Sequence, residues 1–542
     1  MREENKFFLI LFSLVMLLTV AVHLVYVFDE GRLFLNADLN FYNPYFSIMN
    51  SPHSWDQMIS QYTSQKALFY LFNNFLFLAL EGMRIPVNLT LVRLANLAYY
   101  FLLIFGIYRL GASLHNRSVG LLSAAMVAAV PILDNFSRSF TVQFHIIGPI
   151  VLAIALATDQ LKKPGSYGAF AGIATLCALS VLIHPIGLFF SAILYFFFLV
   201  FLLGQKHPRK SRLIRYGFSV ALFGILIFPL YSQLPNYFVE KTRFFYSSGF
   251  SLPSLANTFG LWETLTFKVF FGVWNCCLLL VLLAGIFLMG KKIKISLSSR
   301  ESFLFFITTS YLLFSLYIAL HAAEITDVMI FNALVPPLLL SVFAKRTQEH
   351  RYGRHIIFVL AIAVFLSSGI IKARLLTPID RLPDDEYFVS HYRHIVVDPD
   401  WIQNVQQTLA EQPEFNDSPI CTTSTFVGHK TAPDKMIYDL REMLKCGLHL
   451  LGRPVVYSCV PESAPIHIEF VFSLERQPAD FYAQYLLDHY RIQPNDHRLL
   501  SWKHLNQQLD TYDMVNQLRM VIVHFPTKTV SPEISLASST TH

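Results

Sequence analysis

Two adjacent carboxylates, Asp29 and Glu30, stand where a long uncharged apolar run ends, and Arg32 follows two positions later. A carboxylate near a guanidinium stays ionised at neutral pH, so it can accept a proton from a hydroxyl or orient a substrate or a metal. Neighbouring residues point about 100° apart on a helix and to opposite faces of a strand, so the two acids need not share one task. Charges at the end of a membrane helix also anchor it at the interface, and residue type alone leaves both readings open. Asp38 follows, then Phe41, Tyr42, Tyr45, Phe46 and Trp55, aromatics suited to the headgroup level. A second polar cluster, Asp134-Asn135-Phe136-Ser137-Arg138, precedes an apolar run that still carries Thr141, Gln143 and His145. Polar groups in lipid are costly unless they face protein or a wet cavity, so Gln143 and His145 are candidates for substrate contact or for interhelix hydrogen bonds. His184, just before Pro185, is either a helix-end histidine at a kink or a ligand-facing group. Lys66, and Lys241 and Arg243 ahead of Phe244, Phe245 and Tyr246, have the character needed to hold a phosphate on an apolar tail.

The elements that must position these residues are membrane helices. The 542-residue chain is 54% hydrophobic and only 14% charged, against about 25% charged in ordinary soluble domains. Runs long enough to cross a bilayer, about 20 apolar residues each, are expected near 7–28, 92–111, 118–133, 141–158, 168–184, 187–204, 213–232, 267–289, 303–321, 327–344 and 355–372. With the N-terminus inside, the inner segments hold more than twice the Lys and Arg of the outer ones, as positive-inside insertion requires. The net charge of +6 comes from these short loops, which excludes a nucleic-acid patch. The apolar stretch 67–82 is short and carries Asn73-Asn74; counting it as a span would put every later basic loop outside, so it reads as an outer juxtamembrane helix. The first run lacks a small-residue cleavage site and reads as an uncleaved anchor.

The expected fold is mainly α: a polytopic membrane bundle over 1–372, then a soluble α/β or α+β domain over 373–530 and a disordered tail over 531–542. An odd number of spans puts the C-terminal domain outside, in the periplasm if this is a bacterial inner (plasma) membrane protein. Within it RPVVYSCV and RMVIVHF read as strands, and WIQNVQQTLAEQ and DKMIYDLREMLKCGLHLL as amphipathic helices. Cys177, Cys276 and Cys277 lie in apolar runs and read as packing residues, whereas two of Cys421, Cys446 and Cys459 can pair in an oxidising compartment.

The order of these features resembles the GT-C class of polytopic glycosyltransferases, in particular the dolichyl-phosphate-mannose protein mannosyltransferase-like and lipid A aminoarabinose transferase-like families. The resemblance covers roughly 7–345. It rests on Phe28-Asp29-Glu30-Gly31-Arg32 after the first run and on the short apolar helix after Lys66-Ala67-Leu68. It continues through Leu91-Val92-Arg93-Leu94, Ile107-Tyr108-Arg109-Leu110-Gly111, Asp134-Asn135-Phe136-Ser137-Arg138 and Asn332-Ala333-Leu334-Val335-Pro336-Pro337. The proline pair usual before the short helix is replaced by Gln65-Lys66-Ala67, and Gln143 stands near a position that is often acidic. The resemblance implies a polyprenyl-phosphate sugar donor, a lipid, glycan or protein acceptor, and an active site on the outer face with inversion at the anomeric carbon. It places Asp29 as acceptor-side base, Glu30 as its neighbour and Arg138 near the donor. No cofactor is required by such chemistry, and a divalent metal is compatible with it. A transporter or flippase of lipid-linked glycans is the alternative. It calls for ionisable residues deep in several spans, whereas here polar groups gather at span ends.

Overall fold

In the computed structural model the described residues are essentially 2–27, 89–128, 142–162, 166–204, 210–233, 299–322, 329–348, 418–427, 464–473, 481–505 and 517–524, with short pieces near 79–85, 359–366 and 405–411. The chain divides into two compact units. The first contains nine described helices: α1 (Arg2–Val27), α2 (Leu89–Leu114), α3 (Arg117–Ala128), α4 (Val142–Lys162), α5 (Tyr167–Ile183), α6 (Ile186–Leu203), α7 (Lys210–Gln233), α8 (Ser299–Ala322) and α9 (Met329–Gln348). Each coincides with one of the expected spans. The expected span 267–289 and most of 355–372 lie outside the described residues, as does 67–82 apart from the helical Ala79-Leu80. By length and composition, four described helical stretches can cross a membrane: Leu97–Leu114, Phe144–Lys162, Ile186–Leu203 and Lys210–Phe228. Leu9–Leu24, Arg117–Ala128, Tyr167–Ile183 and Ala333–Lys345 are shorter apolar helices.

Close packing within the bundle depends on glycine. Asn116 starts α3 by accepting the Val119 N–H at 3.0 Å, and the α2–α3 hairpin then closes so tightly that a Cβ on Gly120 would stand 2.5 Å from the Tyr108 carbonyl oxygen. A Cβ on Gly148 would meet the Leu103 nitrogen at 3.1 Å and the Tyr99 carbonyl at 3.3 Å, so α4 lies against the α2 backbone. Backbone cannot yield as a side chain does, so Gly120→Ala is expected to cost about 1–3 kcal/mol of stability. Gly217, on α7 with open space around its Cβ position, is the control: Gly217→Ala should be neutral or slightly stabilising. Thermal unfolding of both variants in detergent checks this; equal midpoints would refute it.

One end of the bundle is tied by ions. Arg109 of α2 pairs with Asp159 of α4 at 2.9 Å. Lys345 of α9 pairs with the buried Glu301 of α8 at 3.5 Å, to which Ser341 also donates at 3.1 Å. Arg300 donates to the Ser113 carbonyl. The ends of α2, α4 and α9 and the start of α8 therefore share one side, as the alternation of inner and outer loops demands. Near this network, burial lowers the His115 pKa, with Glu301 opposing.

The second unit contains a four-stranded sheet ordered β1-β2-β4-β3, from β1 (Ile420–Val427), β2 (Ile466–Ser473), β3 (Leu499–Leu505) and β4 (Gln517–His524), with α10 (Phe481–Tyr490) before β3. β1 and β2 are parallel and the other pairs antiparallel. A parallel pair needs a crossover, which here must run through 428–465 and so through the expected helix DKMIYDLREMLKCGLHLL. Val471, Val521 and Val523 pack under Tyr485, Leu486 and Tyr490. Ile420, Ile466, Ile468, Met520 and Ile522, on the opposite face by register, are also buried. The expected strand RMVIVHF is β4, and residues 405 and 407–410 of the expected helix WIQNVQQTLAEQ are helical; RPVVYSCV lies outside the described residues. Cys177 is a buried free thiol, and Cys421 is disulfide-bonded.

Candidate active site

At the bundle end opposite the ionic network, four helices meet around two consecutive tyrosines of α2. His23 of α1 is buried, and its Nδ1 stands 2.8 Å from the Thr19 carbonyl, which fixes the proton on that nitrogen. Its ring lies 4.8 Å from that of the fully buried Tyr100, whose hydroxyl donates to the Ala128 carbonyl at the end of α3 at 3.4 Å. On the other side, His145 of α4 is fully buried with its ring edge-on to Tyr99 at 4.4 Å, and Phe144 stacks toward Tyr100 at 6.3 Å. A Gly148 without side chain lets α4 come close enough to α2 for that contact. The result is a rigid aromatic–histidine seam joining the last turns of α1 to α2, α3 and the first turn of α4.

Of the residues singled out in the sequence, His145 is in this seam and Gln143 is in the first turn of α4. Asp29, Glu30, Arg32, Asp38, Lys66, Asp134, Arg138, His184, Lys241 and Arg243 lie outside the described residues. The sequence still tethers several of them. Asp29 is two positions beyond the last residue of α1, Arg138 four before α4, and His184 immediately after α5. At most about 3.6 Å per residue separates each from its helix end. His23, Tyr99 and Tyr100 were missed by sequence reasoning, because each lies inside a run whose other members are apolar. Among the described residues no group of three or more His, Cys, Asp or Glu side chains converges as a metal site.

No protein-family model matches the chain, and no curated protein sequence matches it. Solved structures do. The oligosaccharyltransferase of Archaeoglobus fulgidus, in complex with Zn and sulfate, superposes with a TM-score of 0.50 at 13% identity over 88% of this chain and 69% of its own. The same organism's AglB, with an inhibitory peptide and a dolichol-phosphate, gives 0.49 at 13% identity over 89% and 71%. ArnT from Cupriavidus metallidurans, bound to undecaprenyl phosphate, gives 0.46 at 12% identity over 94% and 97%. At such identities the likeness is one of fold, and it rests on the first of these. The membrane bundle expected from the sequence is thus a GT-C fold.

Proposed function

We propose that this protein is a glycosyltransferase that moves a sugar from a polyprenyl-phosphate donor to an acceptor hydroxyl at the outer membrane surface. The observation that carries the reading is the GT-C fold over most of the chain, in a sequence that puts an acidic pair directly after α1. The neighbours crystallised with dolichol-phosphate or undecaprenyl phosphate suggest the donor class by analogy of fold.

In the proposed reaction Asp29 takes the acceptor hydroxyl proton while the oxygen attacks the anomeric carbon. The bond from that carbon to the phosphate oxygen breaks, and the lipid phosphate leaves with the electron pair, inverting the centre. Lys66, Lys241 and Arg243 stabilise the charge that grows on the phosphate. Arg138 belongs to the donor side, and Glu30 and Arg32 hold the acceptor. The roles of Asp38, Asp134, Gln143 and His184 are contact with substrate. His145, sealed between Tyr99 and Phe144, positions the start of α4 instead. A phosphate ester is already a competent leaving group, so none of these steps requires a metal; carboxylates at Asp29 and Glu30 would suit a divalent ion, and activity before and after chelation decides.

The wider arrangement proposed is eleven spans, N-terminus inside, and a soluble domain on the outer side in a bacterial plasma membrane. The Cys421 disulfide supports that side, since disulfides persist in oxidising compartments. The test is transfer of a labelled sugar from polyprenyl phosphate to lipid, glycan and peptide acceptors by purified protein. Movement of lipid-linked glycan across vesicles without transfer from any such donor would replace this reading with the flippase.

A further inference from the structure

We propose that Arg491, in the second unit, anchors a binding site for a phosphate ester. The first observation is where this residue stands. Ile492 is 1% exposed and packs with Tyr485 and Leu486, so the chain must turn back to the core as soon as α10 ends. The turn is closed by the Arg491 N–H donating to the Leu487 carbonyl at 3.0 Å and the Ile492 N–H to the Leu486 carbonyl at 3.4 Å. A cap of this kind takes a left-handed residue just past the helix, and glycine usually supplies it. Here it is an arginine at φ 55°, the only non-glycine residue with positive φ among the described residues. A side chain in that region is strained, and strain that is kept points to a use for the residue that bears it.

The second observation is that the fold makes no use of the side chain. Arg491 is exposed. Its hydrogen bonds among the described residues belong to its backbone: the N–H to Leu487, and the carbonyl, which accepts from Arg498 Nη2 at 3.2 Å. Glycine would make both without strain. A cation near the carbonyl end of α10 is favourable, but any position in the last turn offers that gain with ordinary helical φ.

The guanidinium is also well placed to hold a ligand. Its backbone is fixed on both sides, by the cap and by Arg498, whose own carbonyl accepts from His524 of β4 at 2.8 Å. The acids of the same segment are engaged. Asp496 is clasped by Arg498 at 2.6 Å and 3.0 Å, and Asp488 accepts from Gln484 at 2.7 Å. A cation on ordered backbone loses little freedom on binding. The guanidinium fork matches an oxyanion, and a phosphate monoester brings nearly two charges at neutral pH where a carboxylate brings one. Such an ester sits either on a membrane lipid or on a soluble molecule, and the test separates the two.

Full-length protein in detergent is titrated with glycerol phosphate by calorimetry, and guanidinium accessibility is read by phenylglyoxal labelling and peptide mass spectrometry. In wild type Arg491 should label readily and be protected by glycerol phosphate, while Arg498, held by Asp496, labels slowly throughout. R491G should bind the ester about ten- to a hundredfold more weakly, the usual worth of a charge-assisted contact, yet unfold at the same or a higher temperature because the strain is gone. Protection in nanodiscs containing phosphatidic acid, with no ester added, assigns the phosphate to the bilayer; its absence there, with protection by glycerol phosphate, assigns it to a soluble molecule. The proposal is overturned if neither protects Arg491, or if sodium chloride at the same ionic strength protects it equally. Unchanged affinity in R491G would also overturn it, as would earlier unfolding of that variant, which would make Arg491 a residue of the fold. None of these outcomes depends on whether the protein transfers a sugar.

Discussion

Asp29→Asn is expected to lower sugar transfer by about 10²- to 10⁴-fold, the usual worth of a positioned general base, while leaving thermal unfolding unchanged. The substitution keeps shape and hydrogen bonding and removes only the capacity to accept a proton. A base that works must be ionised, so wild-type activity should fall on the acid side as the carboxylate protonates, and the variant should lose that limb of its pH profile. Glu30→Gln, one position on, should act mainly on KM for the acceptor. The reading has a firm point of failure: an Asp29→Asn protein that transfers sugar at the wild-type rate has no base there. The seam in the last turns of α1 supplies a second check. His23→Leu keeps α1 apolar but removes the contact to Thr19 and the ring against Tyr100. If the seam orients the exit of α1, kcat should fall in that variant with the pH profile retained, a split that loss of the base itself does not give.

What the sequence makes legible here is periodicity on the scale of a bilayer. α1 to α9 are visible because each is a run of apolar residues closed by charge, and the shared side of Arg109, Asp159, Arg300, Glu301 and Lys345 agrees with a topology derived from basic loops alone. The seam is not legible in that way. His23 is a lone polar residue among the apolar residues of the last two turns of α1, and only the arrival of Tyr100 from a helix some 70 positions later gives it a meaning. Arg215 has the same history: it counts as a loop cation until Tyr167 is found beneath it. In the second unit, β4 announces itself as RMVIVHF, because Met520, Val521, Ile522 and Val523 at its centre are all apolar and all buried. β2, as IHIEFVFS, is equally central, yet it carries His467 and Glu469 at buried positions, and the half-buried Thr423 of the edge strand β1, ICTTSTFV, stands beside them. Polar residues inside a sheet hide it from a reading of hydropathy, and only their mutual hydrogen bonds explain why they are tolerated there.

Those hydrogen bonds set the largest stability effect expected in the protein. Glu469, 4% exposed, accepts from Tyr485 at 2.9 Å and from Tyr490. His467, two residues earlier and on the same face, meets Thr423 Oγ1 through Nε2 at 2.7 Å. Register puts Thr423 beside Glu469, so strand β1, strand β2 and helix α10 are joined through one buried polar cluster. Glu469→Ala strips the acceptor from two buried hydroxyls at about 1–3 kcal/mol each, so a loss of roughly 3–5 kcal/mol is expected. Glu469→Gln, which still accepts, should lose less. Hydrogen exchange of β2 and α10 in the full-length protein reads this locally. The cluster also predicts a pH dependence with a definite sign. Burial lowers the His467 pKa from its ordinary 6.5, with Glu469 and its charge opposing, so the unfolded chain binds that proton more readily than the folded one. The stability due to neutral His467 is therefore complete above about pH 6.5 and declines as pH falls toward the lower folded value. Burial also raises the Tyr490 pKa, with Glu469 adding to it, so its hydroxyl remains a donor through this window. His467→Asn should flatten the decline between pH 6.5 and 5 without abolishing the Glu469 bonds. A decline of the same slope in His467→Asn and wild type would place the acid sensitivity elsewhere and leave the cluster a purely structural joint.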